Sequence, residues 1–189
     1  MNRERQIIIA AKVLSMIFNP YYLAVLGLLV LFLFRYLSLL PTTYKLSVLL
    51  MVYIFTVLLP SVTARLYRRH QGWISIACYS LCYYVMNMVH IPRFMGSIVM
   101  AALVIQVLCA LINIWWKIST HTAAIGGVAG ALVAFAQIFM FNPVWWLCLV
   151  IFIAGLVGTS RMLLRQHTLE QVVVGFWLGM IVAYITIII

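Results

Sequence analysis

Acidic residues are almost absent from this sequence. Its 189 residues include no Asp, and Glu4 and Glu170 are the two acids, against twelve Lys and Arg. Charged residues of either sign make up 7% of the chain, compared with about 25% in a soluble domain. Hydrophobic residues make up 67%, compared with about 45–50% in a soluble domain. The scarcity of charge excludes a water-soluble fold. It predicts an all-α integral membrane helix bundle, in which residues 1–189 form a single transmembrane domain.

Metal-ligand motifs and a cleavable leader are also missing. The four cysteines, Cys78, Cys82, Cys109 and Cys148, all lie in apolar runs, and no two of them form a metal motif with a nearby His. We therefore expect them to be small buried hydrophobic side chains, and we expect no metal or other cofactor. Lys12 interrupts the first apolar stretch, so residues 1–18 predict an interfacial amphipathic helix in place of a signal peptide.

Long apolar runs are what the sequence has in abundance. A membrane-spanning helix needs about 20 predominantly apolar residues, and the pattern predicts six to seven transmembrane helices. The candidate runs cover residues 21–40, 46–62, 73–89, 97–116, 120–141, 145–159 and 168–189. Gly126 with Gly130, and Gly175 with Gly179, have a spacing that lets helix backbones approach closely. We expect these glycines to serve helix packing.

The net charge of +10 predicts anionic partners. Because the basic residues lie between hydrophobic runs and not on a soluble face, the lipid bilayer and lipid phosphates are favoured as partners, and nucleic acid is not. With seven spans, the amino terminus and the loops at 65–70, 117 and 161–166 share one side of the membrane. Their positive charge predicts that this side is cytoplasmic.

Three clusters of polar residues lie at the ends of the last spans. They are the segments 117–121 (Lys-Ile-Ser-Thr-His), 160–161 (Ser-Arg) and 167–171 (His-Thr-Leu-Glu-Gln). Helix-hairpin geometry brings them to one membrane face, where the helix N-termini favour an anion. Two imidazoles can supply a nucleophile and an acid for phosphoryl transfer, because imidazole titrates near neutral pH. The clusters together predict a phosphate site.

Two of these clusters resemble motifs of the type 2 phosphatidic acid phosphatase superfamily. Ser160-Arg161, five residues and His167 resemble the third motif, Ser-Arg-x5-His-x3-Asp, and Ser119-x-His121 resembles the second, Pro-Ser-Gly-His. The resemblance covers the last three spans, within the region 97–189, and implies a membrane lipid phosphatase. It also implies that His167 forms a phosphohistidine and that His121 protonates the leaving oxygen. Arg161, Ser119 and Ser160 would hold the phosphate.

The sequence departs from the family in its first two motifs. The first motif, Lys-x6-Arg-Pro, is absent, and its nearest substitutes are the arginines Arg65, Arg68, Arg69 and Arg93. Ile118 and Thr120 replace the Pro and Gly of the second motif. Lys117, four residues before His121, is a further candidate cation for the phosphate by its spacing. The phosphate site is therefore expected to be weakened or rebuilt relative to the family.

Gln171 occupies the position of the family's Asp, which orients the nucleophilic histidine. His167-Thr168-x-x-Gln171 is similar to the pattern of dolichyl diphosphatase members, so the change need not abolish activity. Glu170 is a second candidate for the orienting role. Thr168-x-x-Gln171 also fits a helix capping box, and the sequence leaves both roles of Gln171 open.

These patterns favour a membrane enzyme that hydrolyses a lipid phosphomonoester or diphosphate through a phosphohistidine. An isoprenoid diphosphate is the first candidate substrate, followed by phosphatidic acid or phosphatidylglycerophosphate, and then lipid A phosphate. The bacterial inner membrane is the expected location. The alternative is a family member without catalysis that binds or moves a phosphorylated lipid. A transporter is less favoured, because transporters usually place ionisable residues near the bilayer midplane and not at helix ends.

Overall fold

The computed structural model describes residues 2–18, 20–33, 41–66 and 71–189, and these residues are mainly helical. Within those ranges it contains nine α-helices and no strand. The α-helices are α1 (Asn2–Ile17), α2 (Leu23–Leu33), α3 (Thr42–Tyr53), α4 (Leu59–Leu66), α5 (Gln71–Met88), α6 (Arg93–Ile112), α7 (Thr120–Phe139), α8 (Val144–Leu163) and α9 (Leu169–Ile188). A 3-10 turn at Pro20–Tyr22 precedes α2, and a π-helical turn at Ile54–Leu58 joins α3 to α4.

The described residues contain five helical stretches that are long and apolar enough to cross a membrane. They are Thr42–Thr63, Arg93–Ile112, Thr120–Phe139, Val144–Leu163 and Leu169–Ile188, and they correspond to the second and the last four predicted runs. The third run forms α5, which is less apolar because it carries Ser75, Ser80 and Asn87. The first run forms α2 as far as residue 33, and its remainder at 34–40 lies outside the described residues. The chain is a polytopic helical membrane protein, as predicted.

Short turns make consecutive helices alternate in direction through the bundle. The turns at 89–92 and 140–143 lie at one end, and the turns at 113–119 and 164–168 lie at the other. α1 ends beside the second set, because the Ser15 side chain contacts Arg161. We call the segments 12–18, 113–121 and 160–171 the basic end. It contains all three polar clusters predicted from the sequence.

Helices α7 and α9 run parallel and are the most closely packed pair in the bundle. A methyl group added at Gly126 or Gly130 would overlap the carbonyl oxygen of Phe176 or Met180, and one added at Gly179 would overlap the carbonyl oxygen of Ala123. Because only glycine leaves room for these backbones, the predicted packing role of the glycine spacings is confirmed. The close packing also fixes the start of α7 against the start of α9.

Apolar side chains cover both the inside and the outside of the bundle, as expected in lipid. Tyr79 and Met95 are fully buried, whereas Phe152 is 67% exposed on the outer face of α8.

Cys78, Cys82 and Cys109 are buried as predicted. The prediction is wrong for Cys148, which is exposed because it lies one turn before Phe152 on the same outer face of α8.

Candidate functional site

The start of α7 places His121 in the first helical turn. Ser119 is the N-cap of α7 and is completely buried, and its hydroxyl accepts a hydrogen bond from the Thr122 backbone N–H at 3.5 Å. The Ile118 N–H donates to the Asn113 side chain at 2.9 Å. These bonds hold the turn between α6 and α7 without the Pro and Gly of the family's second motif. The Ser119 hydroxyl is thus engaged in capping the helix.

The start of α9 places His167 just before a complete capping box. Thr168 is the N-cap, its hydroxyl accepts from the Gln171 backbone N–H, and the Gln171 side-chain oxygen accepts from the Thr168 N–H at 3.2 Å. The same Gln171 oxygen lies 3.1 Å from Nδ1 of His167. The sequence left two roles open for Gln171, and its side chain is placed for both. It closes the capping box, and it contacts His167.

The capping box determines which nitrogen of His167 carries the proton. The Thr168 N–H can only donate, so the Gln171 atom that it contacts must be the amide oxygen. That oxygen can only accept, so Nδ1 of His167 must be the donor at 3.1 Å. In the neutral ring, Nε2 is then unprotonated, with its lone pair available. A neutral amide thus orients the imidazole where the family's pattern has a carboxylate.

The end of α8 provides the guanidinium of the site. Nη1 of Arg161 donates to the Ser15 hydroxyl of α1 at 2.7 Å, and Nε of Arg161 is buried without a hydrogen-bond partner in the described part of the chain. Ser160 is buried, and its hydroxyl donates to the Val157 carbonyl of its own helix at 2.7 Å. Arg161 therefore has an unused donor, whereas the Ser160 hydroxyl is satisfied within its own helix.

Direct contacts tie the three helix ends together. The Ser119 N–H lies 3.4 Å from the Gln171 carbonyl, which joins the start of α7 to the start of α9. A side chain at Gly175 would meet the Thr122 hydroxyl at 2.7 Å and the Ser119 carbonyl at 2.8 Å. His121 interacts electrostatically with Arg161 and His167, and its Nδ1 is buried without a partner among the described residues. The two histidines and the arginine thus share one site.

The site is electropositive, and this affects His167. Burial lowers the pKa of the His167 ring from its ordinary value; the hydrogen bond to Gln171 opposes this change, and the charges of Arg161 and Lys117 add to it. A lowered pKa keeps the imidazole neutral near neutral pH. Neutral imidazole is the form that can attack an electrophile, so the environment favours a nucleophilic His167.

The other predicted site residues lie in less defined positions. Lys117 is exposed, close enough to His167 to act on it through charge. Glu170 is exposed, and no ion pair or hydrogen bond of its side chain is seen among the described side chains. Arg65 belongs to α4, and its side chain is not described; Arg68 and Arg69 lie outside the described residues. Arg93 begins α6, so it lies about 30 Å from the basic end and cannot replace the first motif.

A cavity of about 320 Å³ extends from the basic end into the bundle. Its wall is mainly apolar and comes from α2, α5, α6, α7 and α9, with polar groups at Ser75, Gln106, Asn113 and Thr120. Thr120 immediately precedes His121, so the cavity reaches the helix start that carries this histidine. Sequence reasoning did not predict the cavity or the Ser15 contact. Neither belongs to a motif, and no local spacing indicates them.

The chain is a helical membrane protein, and Arg161, His121 and His167 form an electropositive site at its basic end. In the described ranges, no three His, Cys, Asp or Glu side chains come together as metal ligands. The family model of the PAP2 superfamily matches residues 113–189, which include the second and third motifs. Residues 113–189 are therefore similar to this superfamily of phosphatases, which confirms the resemblance. No curated protein and no solved structure matches the chain.

Proposed function

We propose that the chain is an integral membrane lipid phosphatase that hydrolyses a lipid phosphomonoester or diphosphate through a phosphohistidine on His167. The observation that carries this proposal is the Gln171 oxygen 3.1 Å from Nδ1 of His167, which leaves Nε2 as the nucleophile. The match of residues 113–189 to the superfamily model supports phosphate-ester hydrolysis in general.

In the proposed first step, Nε2 of His167 attacks phosphorus, and the bond from phosphorus to the leaving oxygen breaks. His121 in its protonated form gives a proton to that oxygen. The leaving group is the lipid alcohol of a phosphomonoester or the lipid monophosphate of a diphosphate, and it departs with this proton. Arg161 and Lys117 offset the charge on the phosphoryl oxygens. Water then attacks the phosphohistidine while His121 takes up its proton, and inorganic phosphate is released.

The substrate is proposed to be a lipid that enters sideways from the bilayer. The cavity of about 320 Å³ beside Thr120 is mainly apolar, so it suits a hydrocarbon chain whose phosphate lies at His121 and His167. The His-Thr-x-x-Gln pattern makes an isoprenoid diphosphate the first candidate. Phosphatidic acid, phosphatidylglycerophosphate and lipid A phosphate follow, in a bacterial inner membrane.

The decisive experiment is phosphate release by the purified chain in detergent, with EDTA present, from a panel of isoprenoid diphosphates and glycerolipid phosphates. We expect release by the wild type and none by His167→Ala, because the substitution removes the proposed nucleophile. His90→Asn is the matched control. His90 is an exposed histidine at the opposite end with φ 57°, a conformation that Asn tolerates.

A second candidate function is binding of a phosphorylated lipid without hydrolysis. The absence of the first motif favours it, because fewer cations are then available to stabilise the phosphate in catalysis. A folded wild type that binds lipid phosphate but never releases phosphate from any member of the panel would establish this reading and contradict the enzyme.

A further inference from the structure

The amino-terminal helix contributes a side chain to the site, although it lies outside the region that matches the family. The Ser15 hydroxyl lies 2.7 Å from Nη1 of Arg161, across 146 residues of sequence. The backbone of Ser15 hydrogen-bonds the His121 ring. Ser15 therefore touches both the guanidinium and the acid of the proposed mechanism.

Packing holds Ser15 at this position. Ala11 of α1 is buried, and Leu14 and Phe18 pack on the core cluster that includes Val150 and Val157 of α8. Leu14, Ser15 and Phe18 follow Ala11 by three, four and seven residues, so all four lie on one face of the helix. The opposite face exposes Ile9, Val13, Met16 and Ile17, which suits contact with lipid. α1 is thus fixed between the bilayer and α8.

The hydrogen bond from Arg161 leaves the Ser15 proton unused. Because Nη1 of Arg161 is the donor, the Ser15 oxygen is the acceptor, and the Ser15 O–H can still donate to a further acceptor. Nε of Arg161 and Nδ1 of His121 are buried without partners in the described part of the chain. The Ser15 hydroxyl of α1 and the Arg161 guanidinium of α8 therefore each have a donor to offer.

We infer that Ser15 is a phosphate-binding residue, whose hydroxyl donates to an oxygen of the substrate phosphate held by Arg161. This inference rests on the proposed function. A phosphate oxygen is the kind of acceptor that the unsatisfied donors require. The Ser160 hydroxyl already donates within its own helix, and Ser119 is completely buried, whereas Ser15 is partly exposed beside the Arg161 guanidinium. α1 thereby compensates for part of the missing first motif.

The test is steady-state hydrolysis by the full chain in detergent, using the lipid that the wild type hydrolyses fastest. Ser15→Ala is expected to raise KM and the inhibition constant of inorganic phosphate about tenfold or more, because a hydrogen bond to a charged group is lost. The effect on kcat is expected to be smaller. Ser15→Thr retains the hydroxyl and should restore KM. Met16→Ala, which changes the neighbouring lipid-facing residue, should not alter it.

The outcomes separate this inference from the proposed function. The inference would be overturned if a folded Ser15→Ala protein had an unchanged KM and an unchanged inhibition constant for phosphate. Higher activity of this variant would also overturn it, because Ser15 would then block the site. If the wild type hydrolyses nothing, the proposed function fails, and binding of radiolabelled inorganic phosphate replaces kinetics. Ser15→Ala should then bind at least tenfold more weakly; equal binding would overturn the inference.

Discussion

Gln171 places an amide beside His167, the proposed nucleophile, at the position where the family's pattern has a carboxylate. Its oxygen accepts from the Thr168 N–H at 3.2 Å and contacts Nδ1 of His167 at 3.1 Å. The capping box fixes the amide orientation, and the amide in turn fixes the tautomer of His167. A carboxylate would fix the same tautomer but would also stabilise the protonated ring. The amide avoids that effect, so His167 stays neutral at lower pH.

The pH dependence of hydrolysis tests this role of Gln171. The pKa of His167 is lowered, and the neutral ring is the nucleophile, so activity should fall as the pH falls through that pKa. Gln171→Glu adds a negative charge beside the ring, which raises the pKa of His167. The acid limb of the kcat/KM profile should therefore move to higher pH.

Gln166→Glu is the matched control for this shift. It introduces the same charge in the exposed turn before His167, where the side chain makes no hydrogen bond to the ring. Its acid limb should move less than that of Gln171→Glu. Equal profiles for the two variants would mean that the Gln171 contact does not control the protonation of His167.

At the scale of helices, the site depends on the close approach of α7 and α9. His121 stands in the first turn of α7, and His167 precedes α9. The glycines between these helices have no room for a side chain, because the neighbouring backbone occupies the space. A shift of one helix relative to the other would separate the two histidines. The glycines therefore act on the site through helix position.

Gly179→Ala is expected to destabilise the protein and to lower its activity together. The new methyl group would overlap the Ala123 carbonyl, and overpacking of this kind costs about 1–3 kcal/mol. Thermal unfolding in detergent and phosphate release measure the two effects. Gly155→Ala on α8 is the control, since nothing lies within 4 Å of its added methyl group. A Gly179→Ala protein as stable and active as this control would contradict the close packing.

Local sequence patterns predicted the parts of the site that local structure determines. The capping box at Thr168 and Gln171 and the helix-packing glycines follow from spacings of a few residues. The contact between Ser15 and Arg161 spans 146 residues and belongs to no motif. Tertiary packing decides this contact, and periodicity cannot reveal it.

At the scale of the whole molecule, charge is separated between the two ends of the bundle. Lys12, Lys117, Arg161 and Arg165 lie at the basic end, whereas Lys45 and Arg93 lie near the starts of α3 and α6. Positive loops favour the cytoplasmic side of a membrane. Lys117 and Arg161 are also the cations of the proposed phosphate site, so topology and substrate binding would both use positive charge at this end. We therefore predict that the site faces the cytoplasm.

Labelling of single cysteines tests this topology. In a chain whose four cysteines are replaced by alanine, Gln166→Cys reports the basic end and Asn142→Cys reports the opposite end. In membranes of a bacterial host, an impermeant maleimide should label Gln166→Cys only in inside-out vesicles and Asn142→Cys only in right-side-out vesicles. The reverse pattern would place the site outside the cytoplasm and its substrate in the outer leaflet. Labelling of both from one side would contradict α8 as a membrane span, since α8 alone separates the two positions.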